Sequence, residues 1–252
     1  MSIHPTAIIE EGVQLGADCA VHAYAVIKKH SVLGDGIVVH SFAVIGDVPQ
    51  FLKFDPSTVS GVRIGAGTVV REHATINRSI HSGKETTVGA RCFLMANVHV
   101  GHDSAVDDDV VLANNVMLAG HVTVGRHTFV GGGAGIHQFC RIGGGAVVSG
   151  LSRIAQDIPP FTMSAERNEV IGLNLLGLKR RNASREVIRE LKAAFRAVYF
   201  TTGNIREVAK VHLASDMFKT TEAREFLAFF TEGKRGFARA RLGSAEGEGD
   251  DN

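Results

Sequence analysis

Four closely spaced histidines are the strongest candidates for chemistry in this sequence of 252 residues. They are His99, His102, His121 and His137, and Asp103 directly follows the second of them. An imidazole titrates at about pH 6.5, and a nearby carboxylate fixes its tautomer and stabilises its protonated form. The pair of His102 and Asp103 therefore predicts a general base that works near neutral pH.

The elements that must position these histidines follow a six-residue period. This period matches neither an α helix nor the spacing of a β-sandwich, so each hexad predicts one short strand and a corner. Three hexads close one turn, and we expect a left-handed parallel β-helix of between seven and eight coils around a stack of aliphatic side chains. The repeating positions are Ile3, Ile9, Leu15, Val21, Ile27, Leu33, Val39, Ile45, Ile64, Val70, Ile76, Val88, Leu94, Val100, Val106, Leu112, Leu118, Val124, Val130, Ile136, Ile142, Val148 and Ile154.

Residues separated by three hexads lie above one another in such a helix, which brings the candidate residues together. Gln138 stacks above Gly120 and Gly120 above His102, while His121 lies above Asp103. Gly120 can offer an unhindered backbone N–H to a developing oxyanion. Since neither Ser nor Cys occupies a comparable position, we expect direct attack by an activated substrate hydroxyl rather than a covalent acyl-enzyme.

Corner glycines and two interruptions shape the coils. Glycine follows the aliphatic residue at positions such as Gly65 and Gly89, where we expect the corner to need a backbone conformation that is costly for residues with a Cβ. The segment 48–62 predicts a projecting loop with about 13 extra residues, and such loops often line a site. A second, smaller break runs from residue 78 to 87.

Beyond Ile154 the six-residue rhythm stops at a pair of prolines, and helical spacing begins after Gly177. We expect a β-helix over residues 1–177, a small α-helical domain over 178–242 and a disordered tail over 243–252. Ser184 is a candidate N-cap for the first long helix, and Asn204 with Glu207 resembles a capping box for the next. Phe226, Phe229 and Phe230 mark the apolar side of a third helix.

Composition limits the class of protein. The net charge of +1, from 27 basic and 26 acidic residues, gives no reason to expect nucleic acid or an anionic membrane as a partner. Three cysteines are too few, and odd in number, for a disulfide framework, and the sequence shows neither a leader nor a long apolar run. We expect a cytoplasmic protein that forms a homotrimer with sites between subunits.

Ordered motifs resemble those of the acyl-[acyl-carrier-protein]–UDP-N-acetylglucosamine O-acyltransferases, which begin lipid A synthesis and so lipopolysaccharide assembly. The resemblance covers residues 1 to about 240 and rests on the segments HVGHD at 99–103, LAGHVTV at 118–124, HQFC at 137–140, AQDIPP at 155–160 and GLNLLGLKRR at 172–181. It implies an acyltransferase without cofactor or metal, whose substrates are an acyl carrier protein with a 3-hydroxyacyl chain and UDP-N-acetylglucosamine.

The resemblance also implies roles for individual residues. His102 matches the general base, Asp103 its orienting partner and Gly120 the oxyanion donor. Gly150 matches the position that limits acyl-chain length, and a glycine there favours a longer chain. The residues that match substrate contacts are Gln50, Lys53, His99, His121, His137, Gln138, Asn174, Arg180 and Arg181.

Two departures from the family pattern leave alternatives open. Phe51 stands where the family usually has Asp, and it cannot accept a hydrogen bond from a sugar hydroxyl, so a 3-amino UDP-sugar is an alternative acceptor. Leu176 stands where an acidic residue is usual, and residues 166–168 replace an expected Gly-Asn.

Two other classes of protein share this architecture. A carbonic anhydrase-like prism would hold zinc with three histidines from adjacent subunits. A non-catalytic or ice-binding solenoid would need a regular ladder of threonines, which Thr68, Thr75, Thr86 and Thr123 do not form.

Overall fold

Short strands follow one another from Ser2 to Ile154 in the computed structural model, which describes residues 1–241. The predicted disordered tail, 243–252, lies outside the described residues. The strands are β1 (Ser2–Ile3), β2 (Ile8–Ile9), β3 (Gln14–Leu15), β4 (Ala20–Val21), β5 (Val26–Ile27), β6 (Ser31–Leu33), β7 (Val38–Val39), β8 (Val44–Asp47), β9 (Gly61–Ile64), β10 (Val69–Val70), β11 (Thr75–Asn77), β12 (Glu85–Val88), β13 (Phe93–Leu94), β14 (His99–Val100), β15 (Ala105–Val106), β16 (Val111–Leu112), β17 (Met117–Leu118), β18 (Thr123–Val124), β19 (Phe129–Val130), β20 (Gly135–Ile136), β21 (Arg141–Ile142), β22 (Val147–Val148) and β23 (Arg153–Ile154).

Every third strand joins the same parallel sheet, so the chain winds around a three-sided prism. The first, second and third sheets begin with β1, β2 and β3, and we name the edges corner 1–2, corner 2–3 and corner 3–1 after the sheets that they join. Strand partners in most coils are separated by three hexads, as in the pairing of Val111 with Phe129. The fold is the left-handed parallel β-helix that the six-residue period predicts.

The aliphatic positions of the hexads form the core of the prism. From Val21 to Ile154 each of them is buried, with at most 2% of its surface exposed. Ile3, in the first coil, is 44% exposed because the described chain places no coil beneath it. Burial on both sides by neighbouring coils therefore fixes which residue of each hexad points inward.

Close approach of successive coils explains corner glycines such as Gly65 and Gly89, and our expectation about the backbone was wrong at these two positions. It holds at Gly46, which follows Ile45 and has a φ of 83°. Gly65 and Gly89 do not have left-handed φ angles, but a Cβ on Gly65 would lie 2.5 Å from the backbone nitrogen of Ala90 in the next coil. The left-handed positions are instead occupied by other corner residues, including Asp103 with φ of 59° and His121 with φ of 60°.

Both interruptions of the period lie on corner 2–3. One loop, 48–60, connects β8 to β9, and the other, 78–84, connects β11 to β12. Val44 pairs with Thr75 across the first loop, and Thr75 pairs with His99 across the second. Compared with the usual three hexads, the first separation is longer by slightly more than two hexads and the second by one. The loop at 48–60 lies where the sequence predicts a projecting loop. Above both loops the aliphatic positions keep their pairing, with one irregularity between Ile76 and Asn77.

Beyond the repeats the first sheet gains three strands in the described part of the chain, and the second of them runs antiparallel to the first. Helices lie between the second and the third. These elements are β24 (Thr162–Ala165), β25 (Glu169–Leu173), α1 (Leu175–Arg180), α2 (Arg185–Tyr199), α3 (Ile205–Ala214), α4 (Thr221–Phe229) and β26 (Arg239–Ala240). No helix among residues 1–241 has the length and apolar character needed to cross a membrane.

The helix starts follow local capping. Ser184 accepts a hydrogen bond from the Val187 backbone at 3.2 Å, and Asn204 caps α3, so both predicted caps are confirmed. Glu207 instead bonds the side chain of Lys210, so the capping box is only half formed. The first helix begins at Leu175, before the expected boundary at residue 178, because Asn174 caps it.

Buried side chains include two of the three predicted aromatic residues and all the cysteines. Phe226 and Phe230 are fully buried in the helical region. Cys19, Cys92 and Cys140 are buried and free, as expected for small core residues.

The inward stack predicts an asymmetric response to truncation within one strand. Leu112→Ala should lower the free energy of unfolding by about 2–5 kcal/mol, because it leaves a cavity in a fully buried ladder. Val111→Ala, on the outer face of the same strand, should lower it by less than about 1 kcal/mol. Urea unfolding followed by circular dichroism measures both, and equal losses would contradict the assignment of the inward face.

Candidate active site at corner 2–3

The corner that carries both loops also carries the predicted general base. β14 ends at Val100, and the chain turns through Gly101, His102 and Asp103 before β15 begins. Asp103 adopts a left-handed backbone, which aspartate tolerates better than most residues with a Cβ. The turn therefore fixes the direction of the Asp103 carboxylate beside the preceding imidazole.

The side chains of His102 and Asp103 are paired and mostly buried. His102 Nδ1 lies 2.8 Å from Asp103 Oδ2, and the two side chains are 16% and 10% exposed. Because a carboxylate only accepts, a neutral imidazole here carries its proton on Nδ1 and leaves the Nε2 lone pair free. This tautomer is the one that a general base needs.

The next coil covers the His102 ring with a glycine. A Cβ on Gly120 would lie 2.6 Å from His102 Nε2 and 2.5 Å from Cε1. Among the described residues, the Gly120 N–H donates to no backbone carbonyl. Gly120 therefore leaves room for the His102 imidazole, and its backbone N–H is a free hydrogen-bond donor beside that ring.

The second loop holds the carboxylate in place. Ser79 donates a short hydrogen bond to Asp103 Oδ1, and the Ile80 backbone donates to Oδ2 at 3.1 Å. Burial opposes ionisation of Asp103, but the bonds from Ser79, His102 and Ile80 outweigh it and hold the pKa of Asp103 below its ordinary value. Asp103 therefore stays charged where imidazole titrates.

Two further histidines flank the pair as neutral rings. His121 meets the His102 ring edge-on, with centroids 5.1 Å apart, and stacks on Phe139 at 4.5 Å. Burial lowers the pKa of His121 despite the opposing charge of Asp103. His99 shares a 2.8 Å hydrogen bond with Thr75, and burial also lowers its pKa.

A cleft of about 840 Å³ opens beside this cluster, over the second sheet. Phe51, from the projecting loop, also lines it, with its ring centroid 6.0 Å from that of His102. Lys53 is exposed on the same loop and does not line the cleft. The predicted site residues that line it are Gln50, His99, His102, Gly120, His137 and Gln138.

Sequence reasoning missed the residues that hold the loops. Arg78 is buried and donates to the Thr58 carbonyl at 2.7 Å, with its guanidinium 5.0 Å from the ring of Phe54. Ser60 donates to the Ser79 carbonyl at 2.5 Å. Their only signal in the sequence was that Arg78 and Ser79 fall in the second interruption.

The other predicted nucleotide contacts lie at a different corner. Asn174 is buried, and its amide caps α1 and donates to the Gly145 carbonyl at 2.9 Å, at corner 3–1. Arg181 lies against Gly145 in a cavity of about 210 Å³ that Arg126 also lines. Burial and then Arg126 lower the pKa of the Arg181 guanidinium. Arg180 is exposed on the same helix.

The predicted chain-length residue, Gly150, lies on corner 1–2, at the far side of the second sheet. A Cβ there would meet the Gly132 carbonyl oxygen at 3.2 Å, and the φ of Gly150 is not left-handed. A side chain can therefore be built at this position with a small local shift.

One group of side chains could hold a metal ion. Ligand atoms of His81, Asp103 and His121 lie within 4.8 Å of one another. The group differs from the three-histidine site of the zinc alternative, because it has two imidazoles and a carboxylate that already accepts from Ser79 and His102.

Comparisons with known proteins agree on one family. The family model described as UDP-N-acetylglucosamine O-acyltransferase, domain 2, matches residues 157–238. An acyl-[acyl-carrier-protein]–UDP-N-acetylglucosamine O-acyltransferase of Anaeromyxobacter sp. (strain K) is 37% identical, over 95% of this chain and 100% of the relative. That of Aliarcobacter butzleri (strain RM4018) is 41% identical, over 93% and 97%.

Solved structures give the same result. The UDP-N-acetylglucosamine acyltransferase from Campylobacter jejuni superposes with a TM-score of 0.84 at 35% identity, covering 95% of this chain and 100% of that one. LpxA from Acinetobacter baumannii gives 0.85 at 29% identity, covering 94% and 97%. With relatives above 30% identity along nearly their whole length, the chain belongs to the acyl-[acyl-carrier-protein]–UDP-N-acetylglucosamine O-acyltransferase family.

Proposed function

We propose that this protein transfers a 3-hydroxyacyl chain from an acyl carrier protein to the 3-hydroxyl of UDP-N-acetylglucosamine, in lipid A biosynthesis. The observation that carries the proposal is the His102–Asp103 pair beneath Gly120, in a chain of this family. The relatives are named O-acyltransferases, which favours a hydroxyl acceptor over the 3-amino alternative. The cytoplasmic location stays a prediction.

The proposed reaction uses one proton shuttle. His102 Nε2 takes the proton of the sugar hydroxyl while the hydroxyl oxygen attacks the carbonyl carbon of the thioester. The Gly120 N–H stabilises the resulting oxyanion. Asp103 stabilises the imidazolium across the 2.8 Å contact. As the tetrahedral intermediate collapses, the C–S bond breaks and the departing thiolate takes the proton back from His102.

The remaining predicted residues would bind substrate around this centre. Gln50, His99, His137 and Gln138 line the cleft, and His121 packs against the His102 ring. Lys53 is exposed on the projecting loop, from which it would reach the nucleotide. The acyl chain would run across the second sheet toward corner 1–2. On α1, Lys179 and Arg180 form the basic last turn, which suits an acidic carrier protein.

A homotrimer would complete the site. Arg181 lies at corner 3–1 and His102 at corner 2–3, so one chain cannot place both against the same nucleotide. Packing of three prisms about a threefold axis would bring corner 3–1 of one subunit to corner 2–3 of the next. The paired basic residues Arg126 and Arg181 would then meet the diphosphate.

Removal of the base tests the function directly. His102→Ala should lower kcat by at least ~10²-fold, because general-base catalysis typically contributes that much. Asp103→Ala should be milder, since the imidazole remains. Formation of acylated UDP-N-acetylglucosamine from the acyl carrier protein measures both, with thermal unfolding to confirm the fold. His4→Ala, in the first coil, serves as the control and should keep full activity, whereas full activity of His102→Ala would refute the assignment.

The chain-length role of Gly150 is tested by filling the position. Gly150→Met should shift the preference to acyl chains several carbons shorter, since each methylene that no longer fits loses about 0.8 kcal/mol, or about fourfold in kcat/KM. Competition between carrier proteins with chains of graded length measures the shift. Ser41→Met occupies the equivalent position of a lower coil and should leave the preference unchanged. An unaltered preference in Gly150→Met would remove this residue from the groove.

Mixed trimers test whether the site is shared. Co-expressed His102→Ala and Arg181→Ala chains should regain about a quarter of wild-type activity, because one site in four combines the intact residues of both chains after random assembly. The control pairs His102→Ala with Gly120→Val, whose side chain would displace the imidazole of the same corner. This pair should stay inactive. Absence of recovery in the first mixture would contradict a shared site.

A further inference from the structure

The last described segment of the chain returns to the catalytic corner. Residues 233–238 lie beside the final coil, where Asp157 N bonds the Gly236 carbonyl and Ala238 N bonds the Asp157 carbonyl, both at 2.9 Å. Gly233 and Gly236 have positive φ angles of 103° and 73°, so the backbone can turn on each side of Arg235. The side chain of Arg235 is therefore directed by two glycine turns.

An ion pair with a buried carboxylate anchors this segment. Asp157 is completely buried and lies 2.7 Å from Arg141 Nε, while Arg141 Nη2 donates to the carbonyls of Phe229 and Glu232 at 2.9 Å. Loss of Arg141 would leave the buried carboxylate of Asp157 without its charged partner, which is strongly destabilising. The position of Arg235 is thus set by the core of the last coil.

The guanidinium of Arg235 makes two polar contacts at corner 2–3. Its Nε donates to the Gln138 carbonyl at 2.9 Å, and its Nη2 lies 2.6 Å from His137 Nδ1. Both residues line the substrate cleft. Arg235 therefore contacts two residues of the cleft.

The chemistry of the guanidinium decides the tautomer of His137. A guanidinium has donors and no acceptor, so the imidazole nitrogen that it contacts must accept. His137 Nδ1 also lies 3.2 Å from the Gln138 carbonyl, but donation to that oxygen would place a proton against the Arg235 N–H at the shorter distance. The neutral ring consequently carries its proton on Nε2.

We propose that Arg235 is a positioning residue that holds His137 as the Nε2–H tautomer, so that His137 donates a hydrogen bond to a substrate oxygen in the cleft. The proposal rests on the proposed function for the identity of that substrate. It makes His137 the complement of His102, whose carboxylate partner fixes the opposite tautomer. One site then holds an imidazole that accepts a proton and another that donates a hydrogen bond.

The first test reads the tautomer without any reaction. Long-range ¹⁵N–¹H spectra of the full-length protein, with His137→Gln to assign the ring, should show an unprotonated Nδ1 and a protonated Nε2. In Arg235→Ala this preference should weaken, and in Arg189→Ala, an exposed arginine paired with Glu186, it should persist. An Nδ1–H tautomer in the wild-type protein would overturn the proposal, whatever the activity.

The second test is a double-mutant cycle on kcat/KM. Arg235→Ala and His137→Ala should each lower it by about tenfold, and the double variant should lose little more, because one residue acts through the other. Losses that multiply would overturn the proposal and favour a separate role in docking. If thermal denaturation shows that Arg235→Ala has no folded state, Arg235→Lys is used in its place. The lysine keeps one hydrogen-bond donor and should retain the tautomer. A wild-type protein without acyl transfer would refute the proposed function and leave the spectroscopic result standing.

Discussion

Backbone hydrogen bonds between successive coils are the constraint on which the rest of this structure depends. Most strands have only two residues and have no stability alone, so each is fixed by the strands of the coils below and above it. This pairing sets the register, directs one aliphatic residue of each hexad inward, and brings coils so close that a Cβ at Gly65 or Gly89 would collide with the next backbone. The position of a residue in the sequence therefore determines on which sheet or corner it lies and in which coil of the prism.

Register also explains why the site lies where it does. A corner can take up extra residues without disturbing the strands, and corner 2–3 does so at two consecutive levels before the level of His102. The two loops bind each other through Arg78 and Ser60, and Ser79 binds the carboxylate of Asp103. The projecting loop that carries Phe51 is thereby connected to the catalytic pair by polar contacts.

Sequence alone predicted what is periodic or local. The six-residue repeat predicted the β-helix, the stacking of every third hexad predicted that Gly120 covers His102, and capping chemistry predicted Ser184. The repeat could not predict the contact of Ser79 with Asp103, because the inserted loop breaks the three-hexad spacing between them. Asn174 matched a substrate-binding position, yet its amide is used inside the chain as a helix cap.

The approach of Arg235 to His137 has a consequence for the order of events during synthesis. The two residues are 98 positions apart, whereas most contacts in the prism join neighbouring coils. At typical translation rates that separation corresponds to about 5–20 seconds. During this time the strands and loops of corner 2–3 have been synthesised, but Arg235 has not. Because the contact needs Arg235, the corner can reach its full activity only after residue 235 has been synthesised, later than the coils that carry its histidines.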